Sequence, residues 1–236
     1  MAEGEMCQAL ARMIKHSGVC LVAGISIYRL HLAQTPNNYG AAASYIIRKK
    51  GEGMATRAKA SKDNTEHRIG LVSDTHGRLH PAVKETLAGV ELILHAGDVG
   101  KPEILEELAE IAPVVAVGGN VDMGVEGLDL PCFEVRDLFG LKILITHYTG
   151  EFEHLLPPVA CTIDARKPDL VLSGHTHKPM VQQFNGIAFV NPGSCGPKRF
   201  SLPITCGMLT LRADRPKDFE VQLFDLEARR TLVQGA

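Results

Sequence analysis

From Arg68 onward, apolar and polar positions fall into short, regular blocks. RIGLVSD (68–74), apolar through its middle, reads as a buried strand, and HPAVKETLAG (80–89) reads as a short helix. ELILHAGD (91–98) reads as a strand, KPEILEELAEIA (101–112) as an amphipathic helix and PVVAVGGN (113–120) as a third strand. Continuous apolar strands alternating with helices imply a sheet whose faces are covered by helices. After Asp122 the pattern changes to strand pairs. CFEVRDL (132–138) and LKILITH (141–147) are separated by a turn, and a short helix follows near Cys161 to Arg166. DLVLSGH (169–175), MVQQF (180–184), IAFVN (187–191), CGMLTLR (206–212) and FEVQLFDLE (219–227) are further strands, with Asn185-Gly186 as a hairpin turn. The chain reads as α/β at the front and more antiparallel at the back, which suits two packed sheets with helices outside.

The first 67 residues have a different texture. An amphipathic start (Met1 to His16) leads to the apolar run VCLVAGISI, and then to the polar, basic stretch RKKGEGMATRAKASKDNTEH, which reads as a solvated linker. Residues 1–67 are therefore expected to form an extension, either disordered or a targeting segment, with Met54 as an alternative initiator. Residues 68–236 are expected to form the functional domain. The longest apolar candidate for a membrane span, Val19 to Ile27, is closed off by Arg29 and His31, well short of the ~18 residues a span needs.

Charge divides the same way. Residues 1–68 carry 10 Lys and Arg against 5 Asp and Glu, while residues 69–236 carry 15 against 22. An acidic domain is a poor generic nucleic-acid binder, because phosphate backbones are held by clustered Lys and Arg. A small substrate is favoured, and the composition is compatible with a homo-oligomer. The six cysteines show no CxxC spacing and are too sparse for a disulfide framework, so they read as reduced thiols of an intracellular chain. A cytoplasmic location is expected, with organelle targeting through residues 1–53 as the alternative.

The candidate chemistry lies at the ends of the strands. The first ends in Asp74-Thr75-His76, the second in Gly97-Asp98, the third in Gly119-Asn120, a later one in Thr146-His147 and the next in Gly174-His175-Thr176-His177. Carboxyl ends of strands in open α/β sheets are where ligands bind. His175 and His177, at i and i+2 in an extended segment, point to the same side. Taken singly, Asp74 could cap a helix, Asp98 could belong to a turn and Asn120 could adopt a left-handed turn conformation. Capping does not account for four of the domain's seven histidines falling at strand ends. Carboxylate, carboxamide and imidazole donors without thiolate suit Mn foremost, and also Fe, Zn, Ni, Co or Mg. Seven ligands exceed what one ion with open water positions requires. Two ions about 3.5–4 Å apart form a clamp for in-line displacement at phosphorus.

The order D-x-H, G-D, G-N, H, G-H-x-H resembles that of the calcineurin-like metallophosphoesterase superfamily. GNVD (119–122) and NPGS (191–194) place it nearest the small YfcE-type phosphodiesterases, over about residues 68–226. The resemblance implies a four-layer α/β/β/α sandwich. It also implies that Asp74, His76 and His177 hold one divalent ion, that Asn120, His147 and His175 hold the other, and that Asp98 bridges them. A metal-bridging hydroxide would then attack phosphorus, with Asn120 and the ions offsetting charge on the phosphoryl oxygens.

Two positions depart from the family pattern. Val121 stands where many members carry a histidine thought to protonate the leaving group. Activity should therefore favour leaving groups that need little acid assistance, such as aryl esters, unless His154 is recruited. The following Asp122 is a candidate to orient Asn120 or position a water. Tyr148-Thr149 replaces the usual Gly-His after the fourth motif's histidine, which bears on the substrate pocket. His95 reads as a strand residue with a local partner, and NPGS as a tight turn beside the site. Lys178, Lys198 and Arg199 are candidates for a substrate phosphate, and Asp129, Tyr148 and Glu151 for the mouth. The competing reading is a protein–protein module on the same scaffold, as in the retromer subunit of this fold. The intact set of four histidines speaks for the enzyme. A nuclease of the same superfamily is disfavoured by the acidic domain and the lack of a basic-aromatic patch.

Overall fold

The structure, a computed structural model, describes residues 46–47, 66–151, 154–199 and 201–235. The amphipathic start, the VCLVAGISI run and most of the basic linker lie outside the described residues. Among the described residues the elements are β1 (Ile46–Ile47), β2 (Glu66–Val72), α1 (Ala82–Thr86), β3 (Leu92–His95), α2 (Pro102–Ala109), β4 (Val114–Ala116), β5 (Phe133–Leu138) and β6 (Leu141–Thr146). They continue with β7 (Gly150–Glu151), β8 (His154–Leu155), α3 (Pro157–Arg166), β9 (Leu170–Leu172), β10 (Met180–Phe184), β11 (Ile187–Asn191), β12 (Thr205–Arg212), β13 (Arg215–Asp225) and β14 (Arg230–Gly235).

Two mixed sheets form the body. One runs β1-β4-β3-β2-β12-β13-β14 and the other β10-β11-β9-β6-β5, with β7 and β8 as a separate hairpin. In the first sheet β2, β3 and β4 are mutually parallel, and in the second β6, β9 and β11 are. Their carboxyl ends therefore emerge together within each sheet.

Side chains alternate along a strand, and that period sorts the apolar residues into layers. On β6, Ile143 and Ile145 join Ile69 and Leu71 of β2, and Leu170 and Leu172 of β9, in a cluster between the sheets. Leu144, Val171 and Phe189, one position out of phase, instead pack with Val159 and Ile163 of α3. On the far side of the first sheet, Val72, Ile93 and Val114 meet Val83 and Leu87 from α1 or its C-terminal end, and Ile104, Leu105 and Leu108 of α2. Three apolar interfaces separate four layers, the α/β/β/α sandwich. Burial on both faces explains why these strands read as unbroken apolar runs.

Local sequence sets the spacing. Gly70 lies under α1's C-terminal end, where a Cβ would stand 2.9 Å from Leu87 Cδ1, so its missing side chain lets this segment approach the sheet. α3 starts four residues before the expected Cys161, because Pro157 and Pro158 occupy its first turn, where no N–H is required of them. It stops at Lys167, whose φ of 48° is left-handed. β14 and the β7–β8 hairpin are elements the apolar pattern did not single out. β2 starts at Glu66, and Ile46–Ile47 pair with Val114–Val115, so the described fold takes in two short pieces of the expected extension.

Candidate metal centre

Five of the seven expected ligands sit on left-handed backbone just past a strand end. Asp74, His76, Asp98, His175 and His177 have φ of 54°, 46°, 55°, 70° and 58°. Left-handed backbone costs a residue with a Cβ roughly 1–2 kcal/mol, and it persists only where surroundings enforce it. Those surroundings are explicit here. Asp74 N donates to Gly97 O at 3.0 Å and His76 N to Asp98 O at 2.9 Å, lacing the first two strand ends together. His175 N donates to Asp74 Oδ2 at 3.0 Å, which joins the two sheets. A Cβ on Gly97, at φ 89°, would stand 2.8 Å from His147 Nδ1.

All seven expected ligands converge. His177 Nε2 lies 3.2 Å from Asp74 Oδ1 and 3.2 Å from His76 Nε2. Asp98 divides its oxygens, with Oδ1 3.3 Å from His147 Nε2 and Oδ2 3.7 Å from His76 Nε2. Asn120 Oδ1 is 3.2 Å from both His147 Nε2 and His175 Nδ1. Donor atoms of Asp74, His76 and His177 fall within 4.8 Å of one another, as do those of Asp74, Asp98 and His147. Asp74, Asp98, His147 and His177 are buried, while His175 and Asn120 face solvent.

The donor set fits a cation. His147 Nδ1 lies 2.8 Å from the carbonyl of Ala96, which can only accept, so Nδ1 carries a proton. In the neutral ring Nε2 is then bare, and it faces Asp98 Oδ1 and Asn120 Oδ1. Three acceptors share one small volume with no donor between them, and a positive charge reconciles them. In the metal-free chain the Asp98 carboxylate favours a proton there. Burial works against it, but the Asp98 carboxylate outweighs burial and raises His147 above the ordinary imidazole value. Burial likewise pushes Asp98 upward, yet His147, Val121 N–H and His76 hold it down to about 2. His76 is lowered by burial and then by the Arg199 charge, and His175 by burial and then by His147. Both are therefore bare imidazoles at neutral pH, the form that binds metal.

The remaining candidates sort clearly. His95 is buried; its Nδ1 accepts from Gly97 N–H at 3.2 Å and its Nε2 meets Thr75 Oγ1 at 3.0 Å, the local partners expected of a structural histidine. Lys198 is engaged by Glu227 at 2.6 Å, Lys178 and Arg199 are exposed, and Arg199 acts on His76 through its charge. His154, Glu151 and Asp129 are exposed. The Tyr148 ring centroid is 4.4 Å from that of His175, so it borders the site. A shallow cleft of about 680 Å³ opens beside His76, lined by Gly77, Arg78, Lys101, Pro102, Glu103 and Glu107.

Two features exceed what the sequence suggested. NPGS is a brace as well as a turn: Ser194 Oγ donates to Asp74 O at 2.8 Å, and Asn191 Nδ2 donates to Gly174 O at 2.7 Å. Asp122, expected to orient Asn120 or a water, accepts backbone N–H groups from Val99, Gly100 and Gly119, the last directly before Asn120, at 3.1, 2.7 and 2.8 Å. Their signal in the sequence is weak, because their partners are main-chain groups with no side-chain identity.

A four-layer sandwich with nitrogen and oxygen donors gathered at its strand ends defines the metallophosphoesterase class. The calcineurin-like phosphoesterase superfamily domain matches residues 68–214, and the chain belongs to that family. It is 33% identical over 157 residues to a probable metallophosphoesterase of Methanothermobacter thermautotrophicus, covering 63% of this chain and 87% of that protein. With the phosphodiesterase YfcE of Escherichia coli it shares 30% identity over 167 residues, 60% of this chain and 86% of that one. The structure of E. coli YfcE aligns with a TM-score of 0.53 at 25% identity, over 72% of this chain and 98% of that one. Vacuolar protein sorting 29 from Cryptosporidium parvum aligns with a TM-score of 0.60 at 22% identity, over 73% and 98%, a likeness of fold. No helix among the described residues is long and apolar enough to cross a membrane.

Proposed function

We propose that this chain hydrolyses phosphodiesters, and monoesters less readily, at a pair of divalent ions. The ions would be held by Asp74, His76 and His177 on one side and by Asn120, His147 and His175 on the other, with Asp98 between them. The observation that carries this reading is the division of the Asp98 carboxylate, Oδ1 toward His147 and Oδ2 toward His76. When bound, such a pair supplies an activated water at neutral pH and neutralises charge on the phosphoryl group.

The chain's own residues supply the rest. Asn120, exposed beside His147 and His175, presents its amide where a phosphoryl oxygen would sit. Val121 offers no proton, so the leaving group departs with help only from solvent, which favours aryl and other acidic leaving groups. The alternative, a binding module on this scaffold, has no need of four imidazoles brought together with two carboxylates at strained backbone positions.

The test is a paired assay of an aryl phosphomonoester and a bis-aryl phosphodiester across Mn, Ni, Co, Zn and Mg, with Asp98→Asn as control. Diester turnover that needs a metal and falls by at least ~100-fold in the variant supports the proposal. No turnover with any metal, or full activity in Asp98→Asn, overturns it.

A further inference from the structure

We infer that Asp122 is the positioning residue that sets Asn120 against Asp98, across the turns that follow β3 and β4. The inference rests on the proposed two-ion reading and goes beyond it by naming the brace of one of its ligands, Asn120.

The turn that carries Asn120 shares with that of Asp98 a brace that the other ligand turns lack. Asp74, His76, His175 and His177 lie on turns held by Asn191 and Ser194, through Gly174 O and Asp74 O. Nothing in that set touches Asp122. Asp98 and Asn120 lie on turns that follow β3 and β4, and the Asp122 carboxylate spans the two. Its Oδ2 accepts from Val99 N–H and Gly119 N–H, and its Oδ1 from Gly100 N–H. Val99 directly follows Asp98 and Gly119 directly precedes Asn120, so one buried oxygen fixes the distance between two ligand-bearing turns. Gly119 permits the closeness, since a Cβ there would run into the Asp98 carboxylate. Asp98 Oδ1 in turn accepts from Val121 N–H at 3.0 Å, which closes the loop between the two turns.

The chemistry calls for a carboxylate. Three N–H donors converge on two oxygens, and Asp122 is 3% exposed, so solvent cannot replace a lost acceptor. Asparagine matches its volume but places an NH₂ against at least one backbone N–H. In Asp122→Asn the two turns separate, and Asn120 no longer meets His147 and His175 in register with Asp98. The turns of Asp74 and His177 keep the bonds from Ser194 and Asn191, and His76 feels the shift only through its N–H bond to Asp98 O.

Manganese binding to the full chain tests this. The wild-type chain should take two Mn(II) per chain, with the spin-coupled electron paramagnetic resonance signature of a close pair. Asp122→Asn should take one Mn(II) with affinity within about three-fold of wild type and show an isolated six-line spectrum, with the second ion weakened by at least roughly ten-fold. A coupled two-ion spectrum at unchanged affinity in Asp122→Asn overturns the inference while leaving the two-ion reading standing. A wild-type chain that takes up no Mn(II) overturns that reading itself. A measurement on the wild type guards against a variant that fails to fold. In the metal-free protein, the amides of Val99, Gly100 and Gly119 should exchange with solvent at least ~10-fold more slowly than exposed loop amides such as that of Met123. Exchange at the same rate as that amide overturns the clamp.

Discussion

The Nε2 atoms of His76 and His177 face each other across 3.2 Å, each also near Asp74 Oδ1, at 3.9 Å and 3.2 Å. Only one proton fits between the two rings, whereas an ion would satisfy both nitrogens and the carboxylate together. His175, two residues from His177, points its Nδ1 at Asn120 instead. The two residues lie past the end of β9 on left-handed backbone, not in the extended segment the spacing suggested, and it is this turn that lets them reach two places. His177→Ala and His175→Ala are each expected to retain one Mn(II) per chain, but a different one. Metal content by mass spectrometry gives the number. The double variant should retain neither, and a double variant that still holds one ion would contradict the division.

Gly97 is where the backbone leaves no room. Gly97→Ala meets the His147 ring and must adopt a φ of 89°, which a Cβ disfavours. The metal-free chain should lose about 2 kcal/mol or more in urea denaturation. His147 should also be displaced, so binding of the second ion should weaken. An alanine variant with unchanged stability would show that the turn relaxes freely.

Burial lowers the His95 imidazole from its ordinary value to about 4. The unfolded chain therefore takes up this proton near pH 6.5, before the folded chain does. Stability from this group is full above about pH 6.5 and is lost as pH falls toward 4, by roughly 3 kcal/mol in all. His76 and His175 slope the same way, so the group is isolated by difference. His95→Gln should show a flatter fall in metal-free stability between pH 7 and 4 than the wild type. Parallel curves would mean that His95 is charged in the fold.

Val121 stands where a proton donor would serve a poor leaving group, and its own N–H is tied to Asp98. Val121→His leaves that backbone contact in place. It should raise turnover of alkyl esters by about 10-fold or more while changing aryl esters little. The ratio of the two kcat values is the measurement, and equal gains on both would argue against a missing acid.

Much of this was legible in the sequence, for a physical reason. The ligands follow buried strands whose apolar runs mark both the strand and its end, so Asp74, Asp98, Asn120, His147 and His175 could be placed at one edge before any coordinates. Two packed sheets with helices outside followed from runs such as LKILIT, and the four layers were what the resemblance to the family implied. What escaped was anchored in the main chain. Asp122 accepts from peptide N–H groups, that of Gly119 three residues back and those of Val99 and Gly100 more than 20 away, and nothing in these residues advertises a donor. The left-handed turns at His76 and His177 belong to residues that carry no such preference, so tertiary hydrogen bonds impose them. β14 was missed because Arg230 to Gly235 mixes polar and apolar residues at a sheet edge, where only one neighbour is needed.

The hydrogen bond from His175 N to Asp74 joins residues 101 positions apart, and that from Ser194 to Asp74 spans 120. During synthesis the Asp74 turn can meet Gly97 and Asp98 early, whereas the bonds from His175 and Ser194 come only once those far later residues have left the ribosome. Full bracing of the Asp74 turn is thus a late event in the making of each molecule.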